Sequence, residues 1–315
     1  MSKEIRLILL LIILMVLTTW LWYEYGSRYV GYLYDLNTQS RELIDAEIPS
    51  LKIIAESVET DPPKALARFA RKGVKVIVGP PTSGKASLFL PYLKKFNMVA
   101  ISGTISSSRV LQSGYVFSMT PSNDYMISMI ERFLEQLGVK NLLIVLDPLN
   151  AEYSEEYLAL GKKFAVKSVR YYNEKSLAKV DLEGVDMAIL TLNSRDAAQV
   201  SKLLRLKKPD IKLLGTDSTV NNDLINFGGS SVEGMLVIYP HKIEQEPEQE
   251  LIEDCFRILE NHRFLVPEQF RRFIQSHVIS SRGYNVYFSG NSVVRPIYLY
   301  VVRNGRFEVV GTWRE

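Results

Sequence analysis

The chain reads VKVIVGPPTSGKAS at residues 74–87. Residues 74–78 form a short β-rich run, Gly79-Pro80-Pro81 a tight turn, and Thr82, Ser83 and Gly84 open an expected helix over residues 85–95. A strand that gives way to a helix N-terminus is where an α/β sheet presents ligand-binding groups. The free N–H groups of the first helical turn and the helix dipole favour an anion there. Two readings compete for the stretch. In the first it is a phosphate loop, because Gly79, Gly84 and Lys85 fit G-x-x-x-x-G-K between a strand and a helix. Ala86, however, stands where a Ser or Thr would hold Mg²⁺, and Pro80 and Pro81 remove two N–H donors from the would-be cradle. In the second it is a carboxylate cradle, in which Ser83 and the helix N-terminus hold a small ligand.

The flanking sequence alternates strands with helices. Strands are expected at residues 29–34, 51–55, 97–102, 115–119, 141–146, 167–172, 187–192, 211–214 and 235–239. Helices are expected at residues 64–71, 125–137, 152–165, 194–206 and 223–227, and residues 41–46 allow only a short one before Pro49. Such alternation predicts parallel sheets of βα units. Helices at residues 247–261 and 267–275 then precede strands at 284–288 and 296–302. An Asn304-Gly305 hairpin turn leads into a last strand at residues 306–310, so the chain is expected to end on an antiparallel pair.

The 315 residues are 47% hydrophobic and 23% charged, which gives ample core for two lobes. A net charge of +3 without clusters of basic and aromatic residues excludes a nucleic-acid footprint. The single cysteine, Cys255, rules out an internal disulfide and is read as a small core residue on a helix. Residues 7–23 are apolar or aromatic apart from Thr18 and Thr19, a run at the lower limit for spanning a bilayer. Lys3 and Arg6 precede it, which keeps the N-terminus cytoplasmic, and Trp20, Trp22, Tyr23 and Tyr25 sit where an interfacial aromatic belt belongs. Large residues at Leu17 and Tyr25 spoil the two nearest cleavage patterns, which favours an uncleaved transmembrane anchor over a cleaved signal peptide. The main domain is then extracytoplasmic, periplasmic or extracellular, which weighs against an ATP-driven enzyme.

Six segments, in order, resemble the type I periplasmic binding proteins, and within them the branched-chain amino-acid-binding proteins of ABC transporters. They are GVKVIVGPPTS (residues 73–83), VAISGTISSSRVLQSGY (99–115), FSMTPSN (117–123), residues 143–153, LLGTDSTVNNDLINFGGSSVEG (213–234) and YLYVVRNGRFEVVG (298–311). The resemblance implies an α/β fold of two lobes with parallel sheets flanked by helices, behind one N-terminal transmembrane helix. The expected division is anchor 1–27, lobe one 28–120, lobe two 121–240, a return to lobe one over 241–295, and a closing hairpin on lobe two over 296–315.

The resemblance also implies a site with no catalytic residue, metal or cofactor. Ser83, the backbone of Ile105, and Ser106 would hold a ligand carboxylate, Asp217 of lobe two its ammonium, and Tyr153 would cover it. The implied partners are a small polar ligand, an amino acid being the leading class, an ABC permease or a membrane sensor, and the membrane itself, with no nucleic acid. Ordinary roles stand beside these. Ser83 can be a helix cap, residues 106–108 a solvated loop, Tyr153 a packing residue and Asp217 a strand terminator. Asp147 mimics the metal-binding Asp of a phosphate-loop enzyme, and His241, His262 and His277 share no metal-ligand spacing. Residues 35–50 are shorter than the family's first helix and its loop, and residues 244–281 lack its long later helix. Those departures motivate an alternative, a degenerate binding-protein domain acting as an interaction or scaffold module without ligand. A phosphate-loop NTPase is the remaining alternative.

Overall fold

The computed structural model describes residues 3–25, 29–35, 51–243, 247–260, 262, 264, 266–281 and 284–313. Nearly all of the short 35–50 segment, with its expected helix at 41–46, lies outside the described residues. Helix α1 (Lys3–Tyr25) leads the chain. Its stretch Glu4–Leu21 has a mean hydropathy of 2.2 and no burial, so it is long and apolar enough to cross a membrane.

Two sheets follow, each covered by helices on its faces. In chain order come β1 (Tyr29–Tyr34), β2 (Lys52–Ser57), α2 (Pro62–Arg71), β3 (Val76–Val78), α3 (Ser83–Lys95), β4 (Val99–Ser102), the single turn α4 (Ser108–Leu111) and β5 (Val116–Ser118). The chain then builds α5 (Asn123–Gln136), β6 (Asn141–Leu146), α6 (Ala151–Ser154), a 3-10 segment Glu155–Lys162, β7 (Ala165–Arg170), α7 (Glu174–Ala178), β8 (Met187–Thr191), α8 (Ser194–Lys207), β9 (Lys212–Gly215), α9 (Asn222–Gly228) and β10 (Leu236–Tyr239). It ends with α10 (Pro247–Glu260), α11 (Pro267–Ser276), β11 (Ile279–Ser281), β12 (Tyr284–Ser289), β13 (Ser292–Val294), β14 (Ile297–Arg303) and β15 (Arg306–Trp313).

The first sheet runs β11-β12-β13-β5-β4-β3-β1-β2 and the second β15-β14-β10-β9-β8-β6-β7. The chain crosses between them after β5, after β10 and after β13. The βα units pair in parallel, as alternation requires. The central strands β3, β4, β6 and β8 are almost wholly buried, and so read as continuous apolar runs rather than as alternating ones. Helix α2 starts on Pro62 and Pro63, whose missing N–H groups cost nothing in a first turn, and it buries Ala65, Leu66 and Phe69. Gly73 follows at φ +77°, where a side chain would be strained.

Several elements differ from expectation. The helix expected over residues 152–165 breaks after one turn into the 3-10 segment. Strand β7 accordingly starts at Ala165, two residues before the expected 167, in register with Asn141 of β6. It is an edge strand with most side chains exposed, so its apolar pattern is weak, and Tyr171 and Tyr172 bias a sequence reading toward the C-terminal side. The short α4, α7, β11 and β13 have no sequence pattern long enough to be read. Cys255 is fully buried on α10, packed with Phe256 and Leu259 in the core of the first sheet.

Candidate functional site

The turn after β3 is braced from outside. Gly79 has φ +95° and donates its N–H to the Ile101 carbonyl at 2.8 Å. The Pro80 carbonyl accepts from Ser102 Oγ at 2.9 Å and the Pro81 carbonyl from Thr104 Oγ1 at 2.6 Å. Thr82 caps α3 by accepting from the Lys85 N–H. The Lys85 ammonium points away to Glu59, 2.7 Å off. The turn is therefore held by its carbonyls, and Lys85 is engaged elsewhere, so this is not the geometry of a phosphate loop, which needs free N–H groups and an inward lysine.

Three of the expected site residues gather beside this turn. The buried Ser83 hydroxyl accepts the N–H of Ser107 at 3.2 Å, which leaves its own proton available to donate. Ser106 is fully buried, its carbonyl accepting from the N–H of Asn123 at 2.7 Å. Its hydroxyl finds no hydrogen-bond partner among the described residues. The N–H groups of Ile105 and Ser106 have no acceptor among the described residues either, while the Ile105 side chain is in the core. A buried polar group is ordinarily paired, and among the described residues the Ser106 hydroxyl is an exception.

In the second lobe, Asp217 follows β9. Its Oδ1 accepts from the Tyr153 hydroxyl at 2.5 Å and, more weakly, from the Tyr157 hydroxyl at 3.4 Å. Burial pushes the Asp217 carboxyl above the usual carboxylate range, against the opposing pull of the tyrosine hydrogen bonds. No basic side chain pairs with it among the described residues. Burial, and after it the charge of Asp217, raises the Tyr153 phenol well above its ordinary value, so it stays a donor. Tyr153 is itself 3% exposed and packs in the core of the second sheet. Its hydroxyl aims the Asp217 carboxylate.

No hydrogen bond among the described residues joins the first-lobe cluster directly to Asp217. Tyr153 spans the gap, its backbone carbonyl accepting from Asn123 Nδ2 at 3.1 Å and its hydroxyl reaching Asp217. One turn on, Glu156 does what no sequence pattern announced. Its Oε1 accepts from Ser107 Oγ at 2.8 Å and the Arg109 N–H at 3.0 Å. Its Oε2 accepts from the Ser108 N–H at 2.9 Å and Asn123 Nδ2 at 2.8 Å. The sole prior hint was the Ser-rich run ahead of Arg109, a helix start able to hold a carboxylate.

The remaining candidates have structural uses. Asp147 caps its own turn, accepting from the Leu149 N–H at 2.8 Å. His241 is buried against Glu250, 2.8 Å away. His262 and His277 both pack on the Phe273 ring. Among the described residues, no three His, Cys, Asp or Glu converge to hold a metal ion.

No protein-family model matches the chain, and neither does any curated protein. Solved structures do. A leucine-binding protein of Thermotoga maritima is 15% identical, with 90% of this chain and 98% of that one covered at a TM-score of 0.72. The branched-chain amino acid transporter substrate-binding protein LivJ of Streptococcus pneumoniae, solved with isoleucine, is 14% identical, with 90% and 99% covered at a TM-score of 0.74. A solute-binding protein of an ABC transporter from Rhodopseudomonas palustris, solved with p-hydroxybenzoic acid, is 16% identical, with 91% and 96% covered at a TM-score of 0.70. Together with the two parallel-dominated sheets and their crossings, these likenesses establish that the chain has the two-lobed fold of the type I periplasmic binding proteins.

Proposed function

We propose that the chain is a membrane-anchored, extracytoplasmic, non-enzymatic solute-binding protein that takes an amino acid between its lobes and serves an ABC permease or a membrane sensor. In this reading residues 28–120 and 241–295 form the first lobe, and residues 121–240 with the closing hairpin form the second. Helix α1 is the anchor. The observation that carries the ligand assignment is Asp217, a half-buried carboxylate aimed by two tyrosines and lacking a cationic partner among the described residues. A charge drawn partly out of water is costly unless paired, and a ligand ammonium supplies the pair. In the first lobe, Ser83, Ser106 and the N–H groups of Ile105 and Ser106 offer donors suited to a carboxylate. Two half-sites on two lobes make ligand binding favour the closed form.

The test is a thermal-shift and calorimetric screen of the purified full chain in detergent against the twenty common amino acids and small organic acids. A saturable rise in melting temperature with an amino acid, reduced in Asp217→Asn, is the expected result. Glu156 favours a second reading, an interaction module without ligand, because a side chain of the protein already satisfies donors of the first lobe. No binder in the screen would select that reading.

A further inference from the structure

We propose that residues 150–156 are a built-in latch that holds the two lobes together without solute, with Glu156 as its principal bond. This goes beyond the solute-binding reading and does not depend on it. One short stretch of the second lobe supplies a row of polar contacts to the first. At one end, Asn150 Oδ1 accepts the N–H of Gly84 at the start of α3, 2.8 Å away. In the middle, Glu152 lies 3.4 Å from the guanidinium of Arg109. At the other end, both oxygens of Glu156 are filled, by Ser107, Ser108 and Arg109 of the first lobe and by Asn123 at the head of α5.

The contacts differ in weight. The Glu152 pair is exposed on both sides, so its contribution is small. The Glu156 side chain is 11% exposed and its carboxylate takes four hydrogen bonds, which exhausts its acceptor positions. Bonds of this charge-assisted kind are the strong ones, and three of the four reach across to α4. The close approach at Gly84 is equally specific. A Cβ there would lie 3.1 Å from the Leu149 carbonyl and 3.3 Å from Asn150 Oδ1, tighter than most such contacts, so a residue without a side chain lets the lobes meet. In a binding protein whose closure is driven by ligand, the facing surfaces wait for a solute to bridge them. Here side chains of the protein already form the bridge.

The experiment measures lobe separation in the full chain, in detergent and dialysed free of solute. Spin labels are placed on Leu88→Cys in α3 and Tyr172→Cys beyond β7, both exposed side chains on opposite lobes, while the buried Cys255 stays unlabelled. The latch predicts a single narrow distance distribution in the wild-type background. It also predicts a shift to longer, broader distances in Glu156→Ala and a smaller shift of the same sign in Glu156→Gln and Asn150→Ala. A broad or long distribution in the wild-type background, or an unchanged one in the Glu156→Gln protein, would overturn it. Should Glu156→Ala fail to fold, the wild-type distribution and the two milder variants still decide.

Discussion

Asp217 follows β9 and Ser83 opens α3, and their chemistry predicts unequal roles. Asp217 would pair with a ligand ammonium in a desolvated setting, and removing one partner of such a pair costs roughly 2–5 kcal/mol. Ser83 would donate one hydroxyl proton to a carboxylate, worth about 1.5–3 kcal/mol. Asp217→Ala should therefore weaken amino-acid binding more than Ser83→Ala, as read by calorimetry. Acidification gives an independent check. The Asp217 carboxyl is held above the usual range by burial, so it takes up its proton earlier than an ordinary carboxylate as pH falls. Affinity for an ammonium-bearing ligand should fall as pH drops through that raised value, and Asp217→Asn should remove the dependence. Asp217 is singled out in the sequence by its G-x-D pattern. Glu156 is not, since its partners lie 47 to 49 residues away for the first-lobe loop and 33 for Asn123, and nothing separates it locally from Glu152 and Glu155.

At the scale of elements, the legible parts were those with strong local chemistry. The runs at β3, β6 and β8 are almost wholly apolar because both faces are buried, and α3 announces itself through the Thr82-Ser83-Gly84 opening, with Thr82 as its cap. The pieces that escaped, β11, β13 and α4, are three or four residues long and exist because a neighbouring strand or loop pairs with them. Tyr153 lies inside the single turn α6 with its ring in the core, the packing role that stood beside its implied one. Helix α1 carries its own expectation. With Lys3 and Arg6 ahead of the apolar run and no cleavage pattern behind it, N-terminal sequencing of membrane-extracted protein should begin at or near Met1, and a tag at Glu315 should be reachable from outside the cytoplasm. A mature terminus near Ser27 would instead make α1 a signal peptide.

Across the whole molecule, two of the three passages between the sheets bring buried ionisable groups together. His241 follows β10, Arg295 precedes β14, and Glu250 and Asp254 of α10 face them, all nearly or fully out of solvent. Burial first, and then the charge of Arg295, lowers the His241 pKa, against the pull of Glu250 and Asp254, so the folded protein holds this histidine neutral. The unfolded chain protonates it near its ordinary value. Stability from this group is therefore complete above that value and declines as pH falls through it toward the lowered one. The melting temperature should drop between about pH 7.5 and about pH 5.5, and less so in His241→Gln. The claim on which the functional reading rests is that the two lobes recognise an amino acid with Asp217 as its ammonium partner. Calorimetric titration of the wild-type full chain and of Asp217→Asn with amino acids, at neutral pH, tests it most directly. Saturable binding to the wild type, weakened roughly 30-fold or more in Asp217→Asn, is the predicted result. Binding that is unchanged in Asp217→Asn, or a wild type that binds no amino acid at all, would contradict it.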